Sequence, residues 1–98
     1  MLVKIHSSYR DVVAICDSEL LGKTFEEGNR CLTLHENFFK GEEKSDDDVL
    51  DIIEKGSYDD YTFNIVGEKS VNLALKSGLI KPEGVFYIQS VPIALVLL

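Results

Sequence analysis

The chain has 98 residues, 45% of them apolar and 28% charged, with a formal net charge of −7. That length suits a single domain over residues 1–98, and the apolar share is too high for a disordered tail. Seventeen acids against ten bases argue against non-specific DNA binding, because phosphate backbones are held mainly through Lys and Arg.

The opening Met1-Leu2-Val3-Lys4 lacks the charged head and long apolar run of a signal peptide. The longest apolar stretch, residues 91–98, is interrupted by Pro92 and too short to span a bilayer. Two cysteines do not make a disulfide framework, and free thiols suit a reducing compartment. The expectation is a small cytoplasmic protein without membrane contact.

Leu2–His6 alternates, with Val3 and Ile5 on one face and Lys4 and His6 on the other, as a strand does. Residues 7–11 have turn chemistry and Val12–Cys16 is a more buried strand, so the two are predicted to form an antiparallel hairpin. Asp17 and Ser18 are placed to cap one helical turn over residues 19–21, which Gly22 ends. A short strand at 23–25, a turn at 27–29 and a third principal strand at 30–34 follow. In that third strand Cys31 takes one face, Leu32 and Leu34 the other. Residues 36–44 read as a loop anchored by Phe38 and Phe39.

The clearest helix covers residues 45–56. Ser45 takes the N-cap, Asp46, Asp47 and Asp48 complement the positive end of the dipole, and Gly56 closes the run. Val49, Leu50, Ile52 and Ile53 make its apolar stripe, and Asp51 and Lys55 are spaced to pair. A strand at 61–66 leads into a second helix that starts at Gly67 and ends with Lys76 before a cap at Gly78. A connection over 79–84, a strand at 85–89, a bend at 90–92 and a final strand at 93–98 complete the chain. The last strand is apolar throughout and is expected inside the sheet. The predicted fold is α+β, with a mixed, mainly antiparallel sheet of about five to six strands and two helices on one face.

Charge is uneven along the chain. Residues 42–60 hold nine acids against Lys44 and Lys55, which accounts for the whole net charge and leaves the remainder balanced. One reading of this run is a solvated helix start that keeps the protein soluble. The other is a docking face for a basic partner, built on Asp47, Asp48 and Asp51.

His6, Cys16, Cys31 and His35 have the right elements for zinc, and Cys31 and His35 would share a strand face. They lack the two close ligand pairs of a structural site, and Asp46-Asp47-Asp48 lacks the glycine and terminal glutamate of a calcium loop. No metal and no cofactor are expected. A thiol enzyme built on Cys16 or Cys31 with His6 or His35 has no elbow or oxyanion glycines around it, so no catalytic residue is assigned. The junction Asn64-Ile65-Val66-Gly67-Glu68-Lys69-Ser70 carries more. A strand runs into a glycine that opens a helix, and the exposed N–H groups there suit a phosphate, with Lys69 alongside. Against this, the glycine serves a tight turn and Glu68 both complements the dipole and repels an anion.

Four stretches carry a resemblance over essentially the whole chain. They are Cys16-Asp17-Ser18-Glu19-Leu20-Leu21-Gly22-Lys23, Phe38-Phe39-Lys40-Gly41-Glu42, Asn64-Ile65-Val66-Gly67-Glu68-Lys69-Ser70-Val71, and Gly78-Leu79-Ile80 leading into Val91-Pro92. In order and spacing the chain resembles the archaeal domain-of-unknown-function family four hundred and twenty-four. The resemblance implies a small stand-alone protein linked to translation, since the family's genes tend to lie near translation genes. It also implies a His and a Gln after the last Val-Pro. This chain has Ile93-Ala94-Leu95 there, which counts against catalysis or metal binding at that bend.

Two binding readings therefore stand ahead of the enzyme. The first is a non-enzymatic protein contacting structured RNA or a ribosome or initiation-factor component through Lys23, Asn64, Gly67 and Lys69. The second is a protein–protein adaptor or homodimer that uses the acidic helix.

Overall fold

The computed structural model describes residues 1–97. In chain order it has β1 (Leu2–His6), β2 (Val12–Cys16), a 3₁₀ turn (Ser18–Leu20), β3 (Thr24–Glu27) and β4 (Arg30–Thr33). Then come the one-turn helix α1 (Glu36–Phe39), β5 (Glu42–Glu43), α2 (Asp46–Tyr58), β6 (Thr62–Val66) and α3 (Glu68–Ser77). A second 3₁₀ turn (Pro82–Gly84), β7 (Phe86–Ile88) and β8 (Val91–Val96) finish it.

Six strands make one sheet in the order β5-β1-β2-β6-β8-β7, and β3 pairs with β4 apart from it. Every pairing is antiparallel except that of β2 with β6. The fold is thus the expected α+β one, with its N-terminal hairpin. As expected, β8 is interior, between β6 and β7. The last residue expected in that strand, Leu98, lies outside the described residues.

Strand alternation sorts the core into two layers. Val13, Ile15, Phe63, Ile65, Ala94 and Val96 face α2 and α3, where they meet Val49, Ile53, Val71, Leu73 and Ala74. Their neighbours Ala14, Cys16, Val66 and Ile93 face the other way and are covered by Leu34 and Phe39, with Phe25, Leu32 and Phe38 packed around them. Burial of a side chain such as Phe63 or Ile15, both fully buried, stabilises by about 1.5–3 kcal/mol each.

Several local expectations are corrected. Residues 30–34 are not a principal strand: among the described residues β4 pairs only with β3, and it lies over the second face of the main sheet. Residues 36–44 are not loop throughout, because they hold α1 and the edge strand β5. Two hydrogen bonds fasten α1 to β1: Lys4 Nζ donates to the Asn37 carbonyl at 2.7 Å, and His6 Nε2 to that of Phe38 at 2.9 Å. The His6 ring stacks on Phe38 with centroids 4.7 Å apart.

Gly56 does not end α2, which runs on to Tyr58. It is a packing residue: a Cβ there would lie 2.5 Å from Phe63 Cζ and 2.9 Å from Tyr61 Cδ2. The last bend is a two-residue turn at Gln89 and Ser90, both at positive φ, and Pro92 belongs to β8. Pro92 pairs with Tyr87 of β7 and its carbonyl accepts from the Gly67 N–H at 2.9 Å, but it has no N–H to return that bond, so the β6–β8 ladder ends at Val66 with Ile93. The expected Asp51–Lys55 pair does not form. Among the described residues the ion pairs are Lys44 with Glu42, at 2.9 Å, and the Met1 amino group with Glu43.

Candidate functional site

The parallel strands β2 and β6 end side by side, and α3 starts from the second of them. Gly67 opens that helix at φ 112, a conformation that suits glycine, and it has no side chain to cap the free N–H groups of the first turn. Asp17, directly after β2, takes over that task. Its Oδ2 accepts from the Lys69 N–H at 3.1 Å, and its Oδ1 accepts from the Ser70 N–H at 2.9 Å and the Ser70 hydroxyl at 2.7 Å. A Cβ on Gly67 would collide with this carboxylate, so the bare glycine is what admits it. Asp17 is only 4% exposed and Ser70 1%. A buried carboxylate held by three donors at the positive end of a helix is well compensated.

The helix mouth expected to open outward is therefore closed by the protein's own anion. Gly67 is buried. The small cleft of about 200 Å³ that remains there is lined by Asp17, Glu19 and Glu68 among others, three carboxylates that repel a phosphate. Asp17 was expected to cap its own 3₁₀ turn, but its side chain makes no bond there. The sequence held one clue to its real role: α3 opens on Gly-Glu-Lys without a Ser, Thr, Asp or Asn at the cap, so an acceptor had to come from elsewhere.

Of the remaining anion-binding candidates, two have their backbone beside the Asp17 cleft and one does not. Lys23 and Lys69 are both exposed, and the Lys23 N–H bonds to the carbonyl of Leu20, which lines the Asp17 cleft. Asn64 sits elsewhere, half-buried on the second face of the sheet, between Ala14 of β2 and Leu95 of β8.

The acidic residues are arranged differently. Ser45 caps α2, accepting from the Asp48 N–H at 3.2 Å, and Val49, Ile53 and Gly56 turn inward. All nine acids of residues 42–60 are exposed. Glu42 and Glu43 have cationic partners, and the hydrogen bond from Lys44 holds the Glu42 carboxyl below its usual range. The other seven form no ion pair among the described residues. Asp47, Asp51, Glu54 and Tyr58 follow helical spacing and so share one outward stripe. Tyr58 is 89% exposed at its end.

The thiols are far apart in character. Cys16 is fully buried, and burial with Asp17 beside it pushes its thiol up to about 11. His6 cannot serve it: Cys16 pairs with Leu2 and His6 with Val12, four residues along the ladder or about 13 Å. The Phe38 carbonyl can only accept, so His6 Nε2 carries a proton used in fastening α1. Cys31 is exposed, but β4 ends at Thr33, so Cys31 and His35 do not share a strand face. Among the described residues no three His, Cys, Asp or Glu side chains gather into a metal-binding group. No described helix is long and apolar enough to cross a membrane.

These features define a small α+β domain with a sealed helix start and one acidic helical face. The family model described as a protein of unknown function, DUF424, matches residues 5–98, and the chain belongs to that family. The crystal structure of an uncharacterized conserved protein from Methanopyrus kandleri has the same fold, with a TM-score of 0.83 and 25% identity, over 98% of this chain and 90% of that one. No curated protein matches the chain.

Proposed function

We propose that the protein is a non-catalytic binding protein of the cytoplasm that docks a Lys/Arg-rich segment of a translation component, such as a ribosomal protein or initiation factor, on the outer face of α2. The observation that carries this reading is the stripe Asp47, Asp51, Glu54 and Tyr58, exposed and without ion pairs among the described residues. Clustered carboxylates steer a basic partner, and an exposed tyrosine ring adds a seat for an Arg guanidinium. The translation link comes from the family resemblance. Direct RNA contact through Lys23 and Lys69 is the competing reading, and it loses its anion seat to Asp17.

Titration of the full chain with a Lys/Arg-rich peptide and, separately, with an RNA hairpin tests this. The peptide is expected to bind, to weaken as salt rises, and to be lost on combining Asp47→Lys, Asp48→Lys and Asp51→Lys. Lys23→Glu with Lys69→Glu should leave peptide binding in place. RNA binding that disappears with the two lysines, without peptide binding, would overturn the proposal in favour of the RNA reading.

A further inference from the structure

The outer side of β1 is only half covered. β5 pairs with Leu2 and Val3, and the chain before it turns away because the Lys40 N–H bonds back to the Glu36 carbonyl at 2.8 Å. The backbone groups of Met1 and Val3 face β5: the Lys44 N–H donates to the Met1 carbonyl at 2.8 Å, and the Val3 carbonyl lies against Gly41. Strand alternation turns the N–H and C=O of Ile5 to that same side, onto a stretch of edge where β5 no longer runs. The Ile5 side chain is 47% exposed.

Beside this edge lies a groove of about 390 Å³, floored by Val3, Ile5 and Ile52 and rimmed by Lys4, Lys40, Lys44 and one carboxylate, Glu42. Lys44 is matched by Glu42. Lys4 gives its Nζ to a neutral carbonyl and Lys40 forms no ion pair among the described residues, so both keep uncompensated positive charge in a strongly acidic protein. The groove therefore offers unpaired backbone groups, an apolar floor and a cationic rim together.

The geometry points to the Ile5 edge of β1 as a docking site for an extended acidic peptide segment that adds a strand to the sheet. Strand addition draws affinity from backbone hydrogen bonds and specificity from alternate side chains. On β1, Val3 and Ile5 face the α2 side while Lys4 and His6 face the other. An added strand continues that alternation, so its apolar residues rest on Ile5 and Ile52 and its intervening acids face Lys4 and Lys40. This site is separate from the α2 stripe and selects the opposite charge.

Amide hydrogen exchange of the full chain, read at Ile5, tests the proposal with a short peptide alternating Val and Glu and a control alternating Val and Lys. The Ile5 amide should exchange freely in the protein alone and slow by about tenfold or more with the Val/Glu peptide only. Lys4→Glu with Lys40→Glu should abolish that slowing while the amides of β6 stay protected, which shows that the variant is folded. Three outcomes would overturn it: an equal response to the Val/Lys peptide, no response to either, or Ile5 protection in the free protein that grows with its own concentration, the sign of edge pairing between copies.

Discussion

Asp17 and Ser70 stand fifty-three residues apart in sequence and share two hydrogen bonds, the Ser70 N–H at 2.9 Å and its hydroxyl at 2.7 Å from Oδ1. Through this contact the end of β2 fixes the start of α3. Asp17→Ala leaves the first turn of α3 uncapped and is expected to lower stability by about 3 kcal/mol, with Asp17→Asn costing about 1–2 kcal/mol because an oxygen acceptor remains. Urea unfolding measures both. Inorganic phosphate should not raise the melting temperature of the native protein, since the mouth it would enter is filled.

Gly56 gives a prediction of opposite sign to helix propensity. Ala should favour an exposed helix interior by about 1 kcal/mol over Gly. At this site the added methyl meets the Phe63 ring at 2.5 Å, so Gly56→Ala is expected to destabilise by about 1–2 kcal/mol. A gain in the urea midpoint would show that Gly56 does not pack as described.

Cys16 sets a pH dependence. Its thiol titrates at about 11 in the folded protein against an ordinary 9.0, so the folded state holds that proton more tightly. The stabilisation is complete below pH 9 and is lost as pH rises toward 11, on the order of 2–3 kcal/mol over the window. Other groups titrate there as well, so the measurement is the difference between the native chain and Cys16→Ala, whose unfolding should lack this component. Alkylation near neutral pH should modify Cys31 alone until the protein unfolds.

Much of the fold is legible along the chain because it rests on local periodicity. Alternation marks β1, an unbroken apolar run marks β2, and β-branched and aromatic residues mark β6. Ser45 and Gly78 mark a helix start and a helix stop, as the Ser45–Asp48 bond and the left-handed Gly78 bear out. What sequence could not place depends on partners distant in the chain. Gly56 reads as a stop until Phe63 is seen against it, and β4 reads as a strand of the main sheet until its partner among the described residues proves to be β3. The same holds for the candidate site. The acidic stripe follows from helical spacing alone, whereas the closing of the Gly67 mouth required Asp17, a residue whose local setting suggested a different cap.

Backbone amide shifts of the labelled full chain, followed while a Lys/Arg-rich peptide is added, test the working surface most directly. Shifts confined to Asp47, Asp48, Asp51, Glu54 and Tyr58, reversed by salt, are the expected result. Shifts centred on Lys23, Gly67 and Lys69, or none along α2, would contradict it.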